Sequence, residues 1–275
     1  MRSRTLVFIL AFLLGASGRN TAQQTTSSAA VQPQASTLLA QSAVAQVAST
    51  SITDVSISGS CRSIVGTDDE SCTAVLKATA NGESRLDLNL PGGNFSEIRS
   101  IDPSGNLIGA WASQDGVQHA ISYHNLLTDP SWFVPALTLT RILGAARTQA
   151  TYLGNDTLNG LPVLHVVVVQ APNDPIGQAA PAGTIRQHLS QMDFYLDSAT
   201  LLPVALFFTT HPDSNALLDI PVQIQFSNYQ KVGGVQVPFH IQRFINGSLS
   251  LDLQVQSVTF NSGLSASTFS IQVTQ

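Results

Sequence analysis

The sequence predicts a mainly β (α+β) fold: a curved, unclosed antiparallel half-barrel of about ten or eleven strands, with helices covering its open apolar side. Three observations carry this expectation. Apolar and polar residues alternate with period two through most of the chain, turn signals separate the runs, and only two short apolar stretches read as helical. No helical crossovers alternate with the strands, so the sheet is an antiparallel meander, not a parallel α/β sheet.

The chain opens with Arg2 and Arg4, then the apolar run "LVFILAFLL" from Leu6 to Leu14, then small and polar residues. That is the layout of a cleaved secretory signal peptide, assigned to residues 1–22, and the run is too short to span a bilayer. Cleavage after Gly18, with Ala16 at the minus-three position, obeys the small-residue rule better than cleavage after Ala22. No cysteine follows the run, so no lipid anchor is expected. The predicted location is the periplasm or the exterior. Residues 23–35 are rich in Ser, Thr and Gln without apolar periodicity and read as a flexible linker, leaving 36–275 as a single β domain.

Charge narrows the partners. The formal net charge is −5, and loss of residues 1–22 leaves 9 basic against 17 acidic residues. That balance argues against nucleic acid or an anionic membrane surface as partner, since both demand clustered positive charge, and no integral membrane segment is expected after signal cleavage. Cys61 and Cys72 are the only cysteines. In an oxidising compartment such a pair reads as a disulfide, because a structural zinc site wants four ligands.

In the domain, "STLLAQSAVAQVAS" is expected to be a helix capped by Ser36, with Leu38, Leu39, Ala43 and Val47 on one side. "SRLDLNL", "VQIQFSN" and "LSLDLQVQ" are half-wet strands whose inward residues are Leu86, Leu88 and Leu90, then Val222, Ile224 and Phe226, then Leu249, Leu251, Leu253 and Val255. Asn81-Gly82, Gly233-Gly234 and Asn246-Gly247 mark turns, the last a tight hairpin. "VLHVVVV", Val163 to Val169, is apolar almost throughout and is placed mid-sheet, buried on both faces. In "QAPNDPIGQAAPAGTIRQ" the prolines 172, 175 and 181 predict a long irregular loop before the strand "MDFYLD".

Between the two halves lies "YHNLLTDPSWFVPALTLTRIL", Tyr123 to Leu143. Asp129 is a good N-cap and Pro130 suits the first helical position, so a helix is expected from Pro130. Ten or eleven strands at about 4.8 Å make a sheet roughly 50 Å across, and two helices of about 10 Å width cannot cover it. Curling the sheet and plugging its mouth with the Trp132 segment resolves the shortage, and a movable plug over an apolar cavity can hold an apolar ligand. The expected lining is Leu86, Leu88, Trp111, Trp132, Phe133 and Leu137.

Catalytic signals are weak. No GxSxG elbow, HExxH, phosphate loop or dinucleotide fingerprint occurs. His119 and His124, five apart in what reads as a strand, point to opposite faces and make no metal pair. No cofactor or metal is therefore expected. His165 reads as a core histidine with a backbone or carboxylate partner. Arg85 and Arg99 can meet an anionic ligand group or simply remain solvated. Asn94, Asn155 and Asn246 open formal glycosylation sequons.

"MDFYLDSATLLPVALFF" and "FSNYQKVGGVQVPFHIQRFINGSLSLDLQVQSVTFNSGLSASTFSI" resemble the closing strands of the periplasmic outer-membrane lipoprotein-carrier (LolA/LolB-like) superfamily. The motif Y-x-x-x-x-G-x-x-V-P falls on Tyr229, Gly234, Val237 and Pro238; V-x-x-N-x-x-L-x-x-x-x-F falls on Val258, Asn261, Leu264 and Phe269. The middle of the chain resembles exported bacterial proteins of no established activity. The resemblance implies an unclosed antiparallel barrel with an apolar cavity for acyl chains, and points to no particular arginine here as an acyl contact. Together these readings predict a monomeric, non-enzymatic exported protein binding an apolar or lipid-like ligand. Two alternatives are an envelope protein-interaction module with a filled core, and a hydrolase using His124 and Asp129.

Overall fold

A computed structural model describes residues 34–171 and 181–271. The signal segment, nearly all of the linker and residues 172–180 of the Pro-rich stretch lie outside the described residues. Thirteen strands form one sheet. In chain order they are β1 (Asp54–Val65), β2 (Asp68–Thr79), β3 (Ser84–Leu90), β4 (Gly93–Ile101), β5 (Leu107–Ala112), β6 (Gln118–Ala120), β7 (Thr148–Leu158), β8 (Leu161–Gln170), β9 (Met192–Asp197), β10 (Pro203–Thr210), β11 (Ile220–Val232), β12 (Val235–Ile245) and β13 (Ser248–Phe260). Among the described residues three helices accompany them: α1 (Ala35–Val47), α2 (Pro135–Gly144) and α3 (Pro181–Leu189).

The sheet is an open, curved, antiparallel layer, as predicted, with more strands than the ten or eleven expected. β6 has three residues and β7, "TQATYLGNDTL", lacks apolar alternation, so neither shows a period-two signal. The spatial order is β6-β5-β4-β3-β2-β1-β13-β12-β11-β10-β9-β8-β7. Two meanders thus meet where β1 pairs with β13. β6 and β7 are the two outer edges, so the connection between them has to cross from one side of the sheet to the other. The Trp132 segment lies in that connection. Topology, as well as apolarity, places it over the open face.

One cluster of buried residues joins Leu86 and Leu88 of β3 to Val166 and Val168 of β8 through the plug residues Trp132 to Leu139. Eight strand spacings separate β3 from β8 in the sheet, roughly 38 Å if it were flat. A single helical layer bridges that span only because the sheet bends around it. Inward residues follow the expected alternation: Val222, Ile224 and Phe226 on β11, and Leu251, Leu253 and Val255 on β13, are buried.

Several elements differ from expectation. The helix after the Trp132 segment begins at Pro135, not Pro130, with Val134 as N-cap and no side-chain cap. Residues 130–133 form turns instead: the Asp129 carboxylate accepts from the Ser131 amide at 2.9 Å, closing a local turn that competes with helix initiation. Helix α1 starts at Ala35 with Gln34 as N-cap, so Ser36 lies inside its first turn. Pro181, read as a loop residue, opens α3, where proline's fixed φ is tolerated. β8 lies next to the edge strand β7, and of its residues only Val163, Val166 and Val168 are buried, so it is not a doubly buried central strand. His124 sits in a 3-10 turn, Tyr123–Leu126, which removes the strand argument used for it.

The hairpins follow the turn signals. Asn246 and Gly247 have φ of 49° and 76°, the positive pair that a two-residue type I′ turn requires, and Ile245 opposes Ser248 across it. At Gly234 (φ +93°) an added Cβ would stand 2.8 Å from the Thr50 hydroxyl, so the motif glycine answers both conformation and close approach. The other motif residues are structural too. Tyr229 donates its hydroxyl to the Pro203 carbonyl at 2.7 Å. Asn261 accepts from the Thr53 amide at 2.8 Å and donates to the Ser51 carbonyl at 2.9 Å. Phe269 is buried on a 3-10 turn that contacts β3 and β4.

Cys61 and Cys72 are directly opposed on β1 and β2 and form the disulfide, with Cα atoms 4.8 Å apart. The bridge closes a separation of 11 residues, and a loop of that size restricts the unfolded chain by about 2–3 kcal/mol. The expected result is that Cys61→Ala/Cys72→Ala lowers unfolding free energy by that amount in urea titration while the far-ultraviolet spectrum stays unchanged. A loss below about 0.5 kcal/mol would show that the hairpin is already ordered in the unfolded chain.

Candidate functional site

The plug is fastened at its base. Asp129, whose side chain is buried, pairs with Arg141 of α2 at 2.7 Å, and Arg141 also donates to the Ala80 carbonyl beyond β2 at 3.3 Å. Thr138 donates its hydroxyl to the Ser131 carbonyl at 2.9 Å. Asp129 is thereby committed to holding the plug, and no hydrogen bond joins it to His124 among the described residues. The acid/base pair drawn from the sequence does not assemble.

Beyond that base the apolar side chains converge. Trp132, Phe133 and Leu137 of the plug meet Leu86 and Leu88 of β3 in one cluster. Leu137 is wholly buried, and the Trp132 and Phe133 rings meet edge-on at 5.4 Å. Trp111 is not brought in. The register Leu86–Glu97–Trp111 places it on the same face of the sheet, but it lies on β5, beyond the cluster, 36% exposed and stacked on His119 at 4.4 Å.

The plug side chains occupy the concave face, and clefts remain at its margins. One, of about 400 Å³, is lined by Leu88, Leu90, Phe95, Ile245 and Leu249, with Arg243 in its wall. Another, of about 370 Å³, lies at the far end of α2 against Leu126, Leu127, Val168 and Met192. Both volumes fall at the lower end of the range of small-molecule sites. Arginines line both: Arg141, paired with Asp129, and Arg147 in the second, and in the first Arg243, which stands at an inward position of the sheet.

Arg243 is an inward residue of β12. Its register partners are Ile224 on β11 and Leu251 on β13, both fully buried. The guanidinium stands 5.7 Å from the centre of the Trp132 ring, and its Nε donates to the Ser250 hydroxyl at 3.2 Å. Among the described residues no carboxylate lies within ion-pair distance of it. Burial pushes its pKa down from the usual arginine value; Glu97 partly offsets this, and Arg99 adds to the depression. Arginine stays charged even so. Glu97 itself is engaged with Arg99 at 3.1 Å.

A half-buried cation at the edge of an apolar cleft is an arrangement that can receive an amphiphile's acidic end. Sequence reasoning missed it, yet a signal was present. In "VQVPFHIQRFI" the inward series Val235, Val237, Phe239, Ile241 and Ile245 is apolar except at Arg243.

The other polar residues singled out in the sequence have local partners. Arg85 pairs with Asp87 at 2.7 Å and donates to the Thr268 carbonyl at 3.2 Å. Arg99 donates to the Thr128 hydroxyl at 3.4 Å. His165 has its carboxylate partner, Asp193, at 2.8 Å and stacks on Tyr195 at 4.3 Å, but it is half-buried instead of sitting in the core.

No protein-family model matches the chain, and no curated protein matches it in sequence. Solved structures do match. A structure described as an outer membrane lipoprotein-sorting protein domain from Vibrio parahaemolyticus aligns over 86% of this chain and 95% of its own, at 12% identity and a TM-score of 0.52. A DUF1329 family protein from Desulfovibrio piger aligns over 87% and 98%, at 11% identity and a TM-score of 0.53. At such identities the likeness is one of fold, and it is the fold that the closing-strand motifs implied.

Proposed function

For a chain built on the lipoprotein-carrier fold, we propose a non-enzymatic role as an exported binding protein for an acidic amphiphile. Its apolar tail would lie in the cleft of Leu88, Leu90, Phe95, Ile245 and Leu249, and its carboxylate or phosphate would meet Arg243. The observation that carries this reading is Arg243: a half-buried guanidinium beside an apolar cleft, with no carboxylate at ion-pair distance among the described residues. Of the residues expected to line a cavity only Leu88 borders this cleft; Leu86, Trp132, Phe133 and Leu137 are buried in the core, and a longer tail would have to lift the plug to reach them. The Cys61–Cys72 disulfide suits an oxidising, extracytoplasmic location.

The test is binding of a fluorescent fatty acid and of a neutral apolar dye to the purified chain. A charge-assisted contact is worth about 1.5–3 kcal/mol, so Arg243→Met is expected to weaken the fatty acid by about tenfold or more and to leave the neutral dye within about twofold. Lipid extracted from the protein purified from its host should be acidic. Equal fatty-acid affinity in wild type and Arg243→Met would remove the head-group role. The concave face is already filled by the plug, as an envelope interaction module would have it, and a preparation that holds no lipid and binds neither probe would favour that reading.

A further inference from the structure

Remote from the Arg243 cleft, three elements bring histidines to one carboxylate. His188 ends α3, His211 follows β10 directly, and Asp219 precedes β11, so the loop from 211 to 219 folds back on itself beside the helix. A single Asp219 oxygen, Oδ1, lies 2.9 Å from His188 Nε2 and 3.0 Å from His211 Nε2. All three donor atoms fall within 4.8 Å of one another. Ligand atoms on a tetrahedral zinc with bonds of about 2.0 Å stand about 3.3 Å apart, so small side-chain movements would convert this cluster into a coordination shell.

Two further observations point the same way. His211 is fully buried in its side chain, its Nδ1 has no partner among the described residues, and neither has the buried Nε2 of His124. The His124 ring stands edge-on to His211 at 5.9 Å, and that of His188 at 5.7 Å. Of these two buried ring nitrogens, His124 Nε2 is the one that an ion bound nearby could satisfy, and three imidazoles beside one carboxylate are an expensive arrangement for a purely structural purpose. The backbone is held for it: Asn125 accepts from the His211 amide at 2.9 Å and donates to the His211 carbonyl at 2.8 Å. Access comes from a cleft of about 350 Å³ bordered by His188, Asp219, Asp193 and Phe207.

We infer that His188, His211 and Asp219 bind a divalent transition-metal ion, zinc foremost. The donor set, two imidazole nitrogens and one carboxylate oxygen, selects zinc-like ions over calcium or magnesium. Each neutral imidazole would bind through Nε2 and carry its proton on Nδ1. His124, whose ring centre stands 5.9 Å from that of His211, is the candidate for the fourth position. Such an ion would clasp α3 to the β10–β11 loop, joining the covering layer to the sheet at a point where no disulfide does so.

The test uses the untagged full-length exported chain, freed of metal by a chelator and titrated with zinc chloride by calorimetry. One equivalent is expected to bind at micromolar or tighter affinity, with a rise in Tm, and magnesium is expected to do neither. His188→Ala and Asp219→Asn alter half-exposed side chains and should leave the fold intact by circular dichroism. Each is expected to weaken zinc by about tenfold or more. Cobalt in place of zinc should give the visible absorption of a tetrahedral site in the wild type and lose it in both variants. Zinc affinity unchanged by the two substitutions, or absence of stoichiometric binding by the wild type, would overturn the assignment.

Discussion

Phe133→Ala is expected to lower the unfolding free energy by about 3–5 kcal/mol, the usual loss for a buried phenylalanine cut back to a methyl group. Phe133 is 1% exposed and belongs to the cluster that joins both meanders through the plug. Its neighbours cannot close the gap easily. On one side stands the Trp132 ring; elsewhere in the cluster lie Leu86, Leu88 and Leu137, held by the sheet register and by α2. A cavity should therefore persist, and removal of the ring would also forfeit its edge-on contact with Trp132. Urea denaturation should show a lower midpoint with an unchanged slope, because the surface exposed on unfolding is nearly the same. A domain of this size would lose about 2–4 °C of Tm per kcal/mol. A loss below about 1 kcal/mol would mean that the plug contributes little to the folded state and opens freely, and the picture of a fastened plug would fall.

The second large effect is expected at Asp54, and it depends on pH. The buried carboxylate at the start of β1 accepts from the Ser262 amide and hydroxyl at 2.8 Å each, from the Gly263 amide at 3.1 Å and from the Thr53 hydroxyl at 3.1 Å. Burial alone would raise its pKa. The hydrogen bonds from Ser262, Gly263 and Thr53 outweigh that, and the net shift is downward. A carboxylate whose pKa is depressed by folding stabilises the protein above its unfolded-state value, about 3.9, and that contribution disappears as pH falls through the lower folded-state value. Asp54→Asn replaces an acceptor oxygen by a donor facing donors, so a loss of about 2–3 kcal/mol is expected at pH 7. The difference between wild type and variant should shrink as the pH falls below about 4. A difference that stayed constant from pH 7 to pH 3 would show that shape, not charge, is what Asp54 supplies to the 261–263 turn.

The gap between sequence and structure has a pattern. Strands such as β3, β11 and β13 were legible because one dry face and one wet face write a period of two into the chain. The hairpin at Asn246-Gly247 was legible because few residues accept two successive positive φ angles. Helix boundaries were not. The Asp129 signal for a helix start was real chemistry used otherwise: the same carboxylate closes a turn with Ser131 and grips Arg141. Likewise "VLHVVVV" reads as a central strand by apolarity, and its place beside the edge follows from pairing that no local pattern records.

The site shows the same division. Leu86, Leu88, Trp132, Phe133 and Leu137, expected to line a cavity, share one buried cluster, since burial of oily residues is a local demand with a common solution. Trp111 stays outside that cluster, partly exposed and stacked on His119. Arg243 was visible only as a break in an apolar series, and its meaning depended on the cleft beside it. The histidines at 124, 188 and 211 carry no motif spacing; they meet because a turn, a helix end and a loop converge.

By itself, the sequence determined which residues alternate, where the chain turns, that two cysteines pair, and that more oily strand surface exists than its helices can hide. The tertiary structure alone decided which edge each strand occupies, which charged groups find partners, and which distant side chains share a point in space. The physical reason is range: backbone conformation and amphipathicity act over a few residues, whereas pairing, desolvation and coordination depend on neighbours brought close only when the whole sheet bends around its plug.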